Sequence, residues 1–241
     1  MESAPVQNSF LAGLRDGVPI GLGYLSVSVT FGMMAVSGGL PVWAACAISM
    51  TNLTSAGQFA GLTLIFTLGS FLEMALTQLV INLRYALMSL SLSQKMAQNV
   101  TIWDRLFISF AVTDEIFAVS MTQKGEVGRR YSYGLMVAPY IGWALGTLCG
   151  AVASGFLPPA VRSALSIAIY GMFVAIVVPV ARQSRAVLGV VALAVALSCG
   201  MHYLPGLRQV SSGFAIILCT LIAAGAGAYL APVREEEEVA P

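Results

Sequence analysis

The sequence predicts an all-α, polytopic transmembrane helix bundle with an internal repeat and interrupted or re-entrant second and sixth segments. Three observations lead there. Hydrophobic residues make up 58% of the 241 residues and charged residues only 10%, and mean hydropathy is +0.84. A soluble domain is about one-quarter charged, so this chain cannot coat a water-facing surface. Apolar runs long enough to cross a ~30 Å hydrocarbon core recur from end to end. Several ionisable residues lie deep inside those runs, where each costs ~2.5–3.5 kcal/mol on insertion scales.

The apolar segments cover residues 18–36, 42–68, 71–92, 104–122, 134–155, 163–181, 186–200 and 213–230. Residues 1–16 are expected to form an N-terminal cytoplasmic segment, 17–231 a single transmembrane domain, and 232–241 an acidic tail built on the run Glu235 to Glu238. The N-terminal stretch carries Glu2 and no basic region ahead of an apolar one. It does not read as a signal peptide.

The second segment is the odd one. Its middle reads Thr51-Asn52-Leu53-Thr54-Ser55-Ala56-Gly57-Gln58. Lipid offers no partner to a freed backbone group, so such a stretch must face protein or a water-filled cavity. A kinked span and a re-entrant hairpin both fit. Basic residues favour cytoplasmic loops. With eight crossings, Arg15, Lys124, Arg129, Arg130, Arg182, Arg185 and Arg234 share one side, against Lys95, Arg105, Arg162 and Arg208. Both termini are then cytoplasmic, and re-entrant second and sixth segments give the same majority.

A repeat relates residues 17–122 to 134–231. Gly23-Tyr24 matches Gly142-Trp143, each after a proline (Pro19, Pro139). Leu40-Pro41 matches Leu157-Pro158, and Gln58-Phe59-Ala60 matches Met172-Phe173-Val174. Repeats, often inverted, are common in transporters, with the substrate site at their interface.

The buried polar residues are the candidate working parts. Arg84 lies on the third segment beside Asn82, and Asp114 and Glu115 lie together on the fourth. Read as one helix from residue 104, the fourth puts the carboxylates ~15 Å in, near the midplane. Neighbours on a helix point ~100° apart. One carboxylate is therefore expected to neutralise Arg84 and the other to face the site. Glu73 is near a segment end and is expected at the interface. Small residues on the first and fifth segments (Gly17, Gly21, Gly23; Gly142, Gly146, Gly150) predict close helix packing. Met33, Met34, Met74, Met88 and Met172 read as core.

Other chemistries find little support. A net charge of +1 gives nucleic acid no footprint. Cys46, Cys149, Cys199 and Cys219 lie in apolar stretches without metal-ligand spacing, and His202 is the only histidine. No Ser/His/Asp set, metal cluster or phosphate loop points to an enzyme, and no cofactor or metal is expected.

Four blocks carry a resemblance. They are Arg15-Asp16-Gly17-Val18-Pro19-Ile20-Gly21-Leu22-Gly23-Tyr24 with Phe31-Gly32; Ser55-Ala56-Gly57-Gln58-Phe59; Asn82-Leu83-Arg84-Tyr85 with Ser89-Leu90-Ser91; and Thr113-Asp114-Glu115-Ile116-Phe117-Ala118. In order and spacing, over nearly the whole chain, they resemble the AzlC/YgaZ family, the large subunits of two-component branched-chain amino acid exporters. The resemblance implies export of valine, leucine, isoleucine or methionine across a bacterial inner membrane, with a small membrane partner of the AzlD/YgaH type. Tyr85 stands where that family usually has a histidine, and Asn52 where apolar residues are usual.

For an apolar amino acid zwitterion, exposed N–H groups at a helix break suit the carboxylate. Thr54, Ser55, Gly57 and Gln58 are expected to form that cradle, with Asn82 close to it. Asp114 or Glu115 suits the ammonium and can exchange a proton for it, with Arg84 as charge partner. The alternatives are a membrane scaffold or sensor subunit, whose buried charges would be clamps only, and a passive channel.

Overall fold

The computed structural model describes residues 6–156, 158, 160, 167, 170, 171, 174 and 177–231. Those residues are helical, with only isolated bridges (Gln7 and Met96 to Val127) and no strand. Five of their helices are long and apolar enough to cross a membrane. They divide into two compact units, Met1–Leu62 with Ile81–Tyr170, and Thr63–Val80 with Gly171–Pro241.

The first unit is organised by α1 (Phe10–Ser37) and α7 (Arg129–Ala153). The Ser9 side chain caps α1 by accepting the Ala12 N–H, and the chain leaves at Gly38 and Gly39, where φ is +102°. The helix starts well before residue 18, so residues 10–16 belong to it. Glycines line the seam between α1 and α7. A Cβ on Gly13, Gly17, Gly21 or Gly32 would run into the α7 backbone, and one on Gly134, Gly142 or Gly150 into that of α1. Without a hydrophobic drive between helices in lipid, such close backbone approach is what holds them together. The contacts climb in step, Gly13 by Tyr131, Gly17 by Leu135, Gly32 by Thr147. The two helices therefore run in the same direction, which is not the relation an inverted repeat would give these two matched segments.

The second segment is a hairpin. α2 (Val42–Thr51) and α3 (Ser55–Phe66) have 10 and 12 residues, ~15–18 Å each, about half a hydrocarbon core. α2 leaves the end of α1 and meets Thr147 at Ser49, and the turn after it sets Leu53 beside Trp143. α3 retraces the path. Gln58 returns to Ser49, Phe59 stacks edge-on against Phe31 at 5.5 Å, and Leu62 joins Ala35 and Ala45 in one cluster.

The fourth segment departs from expectation. It is not one helix over 104–122 but two, α5 (Ile102–Phe110) and α6 (Asp114–Thr122), of 9 residues each. α5 climbs α7. Asp104 accepts from Tyr133 (2.9 Å), Phe110 lies 6.3 Å from the Tyr140 ring, and Ala111 packs with Trp143. α6 comes back down. Ile116 packs with Leu135 and Tyr131, and Lys95 donates to the Met121 carbonyl (2.5 Å). The reason is local. Thr113 adopts extended backbone and its hydroxyl accepts the Ile116 N–H, so a new helix starts there, with Asp114 and Glu115 at its positive end.

α4 (Phe71–Lys95) runs opposite to α1 and α7 through its second half. Its end, the chain before α1 and the loop before α7 are tied together. Val127 N–H donates to Lys95 O, Ala97 N–H to Val127 O, and Gly128 N–H to Gln7 O.

In the second unit, α8 (Arg185–Tyr203) packs on α9 (Ser212–Leu230), with Gly227 against Val190. Glu73 stands in the first turn of α4, near the end of its segment. It is buried, and its carboxylate accepts the Ser211 hydroxyl (2.5 Å) and the Gly213 N–H (3.0 Å) at the start of α9. Residues 177–183 are helical. The rest of the sixth segment, including Met172 and Phe173, falls mostly outside the described residues, as does the 232–241 tail.

Candidate functional site

The two hairpins meet tip to tip. Leu53 at the first tip and Ala111 at the second pack together with Trp143 of α7, and Tyr24 of α1 covers them. Tyr24, Trp143 and Arg84 each lie near the middle of a long helix, so the meeting point sits at mid-depth.

Both carboxylates are at the second tip, and they part company as their helical spacing requires. Asp114 pairs with Arg84, whose Nη1 lies 2.9 Å from Oδ1 and 2.7 Å from Oδ2. The guanidinium also donates through Nη2 to the Tyr85 hydroxyl (2.9 Å) and lies 4.7 Å from that ring's centroid. Glu115 turns the other way and accepts a hydrogen bond from the Tyr24 hydroxyl, which is also 2.6 Å from Thr113 Oγ1. Tyr24 is fixed from beneath by Trp143, edge to face at 5.3 Å. The Arg84 and Asp114 side chains remain 44% and 38% exposed. At mid-depth such exposed charges face protein or water and not acyl chains, because lipid solvates a charge poorly.

The first tip is built from hydrogen bonds of its own. The Thr54 hydroxyl donates to Asn52 Oδ1 (2.6 Å), and the Thr54 carbonyl accepts from the Gly57 and Gln58 N–H groups (2.6 and 3.3 Å). Those two N–H groups are thus spent within the chain and do not form a free anion cradle. The Gln58 amide donates to Ser49 Oγ (3.0 Å), which shares a hydrogen with Thr147 Oγ1 (2.7 Å). This file of buried polar groups stitches α3 to α2 and α7. Tyr140 adds a bond from its hydroxyl to the Met50 carbonyl (3.0 Å).

Of the expected site residues, the structure joins Arg84 to Asp114 directly. Glu115 stands beside them on its own partner. Thr54, Ser55, Gly57 and Gln58 lie on the facing hairpin, whose Leu53 packs on Trp143. Asn82 is half-buried on α4. Sequence reasoning missed Tyr24, Thr113 and Trp143 as site residues. Tyr24 and Trp143 stood out as matched positions of the expected repeat, and Tyr24 in the first resemblance block as well; their rings are in contact. The signal for Thr113 was present, since a threonine before two acidic residues is a helix-start pattern.

Comparison with known proteins finds a family of membrane proteins. The family model described as AzlC protein matches residues 19–157, which include both hairpins. The chain is 29% identical over 180 residues to the inner membrane protein YgaZ of Escherichia coli (strain K12), covering 71% of this chain and 73% of that one. It is 32% identical over 181 residues to an uncharacterized membrane protein of Archaeoglobus fulgidus, covering 74% and 79%. A Helicobacter pylori (strain 26695) membrane protein is 27% identical over 152 residues, covering 60% and 66%. No solved structure matches the chain. A helical membrane bundle whose family match spans both of its central hairpins, this chain belongs to the AzlC family.

Proposed function

We propose that the chain is the transporting subunit of an exporter of branched-chain or other apolar amino acids (valine, leucine, isoleucine, methionine). It works in a bacterial inner membrane, is driven by proton entry, and acts with a small AzlD/YgaH-like membrane subunit. It is not an enzyme. The observation that carries this reading is the charge balance at the second tip. Arg84, Asp114 and Glu115 lie together, so one negative charge is unmatched when both carboxylates are ionised. An unmatched charge at mid-depth in a membrane is costly. A proton can match it, and so can a substrate ammonium, but not both together. Competition for one place is the requirement for exchange: the proton leaves when the amino acid arrives.

Orientation follows from the second hairpin. With α5 and α6 entering and leaving on one side, Arg15, Lys95, Arg105, Lys124, Arg129 and Arg130 all gather at the end of the first unit where α1 begins. Among its described residues, the other end carries no lysine or arginine. The positive-inside rule makes the basic end cytoplasmic.

The test is efflux from proteoliposomes, with and without the small subunit, screened over the twenty amino acids under an imposed pH gradient. Accumulated apolar amino acids should leave as protons enter, and Asp114→Asn should abolish or uncouple the movement. A scaffold moves nothing, and a passive channel ignores the gradient. Either result rejects the reading.

A further inference from the structure

Where the first hairpin meets α7, three buried polar atoms have no partner among the described residues: Ser55 Oγ and Gln58 Oε1 on α3, and Trp143 Nε1 on α7. Gln58 and Trp143 are each 2% exposed. A buried polar atom left unpaired costs ~1–3 kcal/mol, and native interiors hold few of them.

They lie on two elements that pack together, α3, by way of its hairpin, and α7. Ser55 and Gln58 are a helical turn apart in the first turns of α3. Trp143 and Thr147 are a turn apart on α7. Gln58 reaches Thr147 through Ser49, by bonds of 3.0 and 2.7 Å, while Leu53, two residues before Ser55, packs on Trp143. The atoms differ in kind. The indole N–H can only donate, the amide oxygen can only accept, and the serine hydroxyl can do both. Beside them, Tyr24 touches Trp143 with its ring and Glu115 with its hydroxyl.

We propose that Trp143, Ser55 and Gln58 form the head-group subsite for an α-amino acid, a proposal that rests on the transport reading above. The carboxylate accepts from the Trp143 N–H and the Ser55 hydroxyl. The ammonium donates to the Gln58 carbonyl oxygen and faces Glu115. Each group then meets its complement, whereas a ligand lacking the carboxylate anion leaves two donors underused. The tryptophan is thus a binding residue and not only the floor under Tyr24.

The test compares valine with valinamide, which keeps the ammonium and side chain but lacks the anion. In reconstituted efflux, wild type should prefer valine. Trp143→Phe and Ser55→Ala should each raise KM for valine about tenfold, as loss of a hydrogen bond to a charged group implies, and should shrink the preference over valinamide, with kcat largely kept. A second readout needs no transport. Trp43 and Trp103 are 73% and 70% exposed, so Trp43→Phe with Trp103→Phe leaves Trp143 as the sole tryptophan. Its emission should shift with valine and not with valinamide. Unchanged preference in both variants, or an emission indifferent to valine, overturns the subsite. If Trp143→Phe fails to fold, Ser55→Ala and the emission test decide. Variants that keep wild-type valine preference sink the subsite alone; a wild type that moves no amino acid sinks the transport reading with it.

Discussion

Asp114 and Glu115 are sequence neighbours with different tasks, and the geometry tells them apart. Asp114 is committed to Arg84, while Glu115 is held by the Tyr24 hydroxyl, so the proposed exchange assigns the trade of a proton for a cation to Glu115. Tyr24→Phe removes its donor and keeps the ring against Trp143. Transport should persist with its proton dependence weakened, and adding Glu115→Gln to Tyr24→Phe should cost little beyond Glu115→Gln alone, since coupled neighbours are not additive. Efflux rates across a pH series measure this. Fully additive losses would deny that the two residues act as a unit.

At the scale of elements, the α1–α7 seam is the frame on which both hairpins hang. Gly32→Val and Gly142→Val place methyl groups against opposing backbone, which cannot yield as a side-chain tip can. Overpacking of ordinary cores costs ~1–3 kcal/mol, and a backbone clash should reach at least the upper end. Both variants should lower the melting temperature in detergent by several degrees, whereas Gly23→Ala, with nothing near its new Cβ, should leave it unchanged. This seam was legible in the sequence, because spaced glycines on two proline-bearing segments have few other uses. The first break was legible as well, from Asn52 and Thr54 amid apolar residues. The second break is not legible in hydropathy, because Ala111 and Val112 are apolar and the apolar run continues to Thr122. The cap at Thr113 signalled it, and cap chemistry outranks hydropathy wherever the two disagree on a boundary. Direction is still harder to read. That the chain turns back at each break depends on tertiary pairs such as Ser49 with Gln58, which no local pattern contains.

For the whole molecule, two hairpins entering from opposite ends bring their tips together at mid-depth and place the acidic pair where three helices and both tips converge. Their courses predict accessibility. In a cysteine-free background, Asn99→Cys before α5 and Lys124→Cys after α6 should both react with an impermeant thiol reagent from the cytoplasmic face, and Phe156→Cys only from the other. A fourth segment that crossed fully would separate the first two. The candidate site was half visible in the sequence: charges announce themselves in an apolar chain, while the aromatic and hydroxyl groups that orient them look like ordinary core until the fold collects them. The claim on which everything else depends is that one unmatched carboxylate at the second tip accepts either a proton or a substrate ammonium. The direct measurement is proton release from the purified wild-type protein in weakly buffered detergent as valine is added. About one proton per valine bound is expected, with release lost in Glu115→Gln. Valine binding without release, or release unchanged in that variant, would contradict the account.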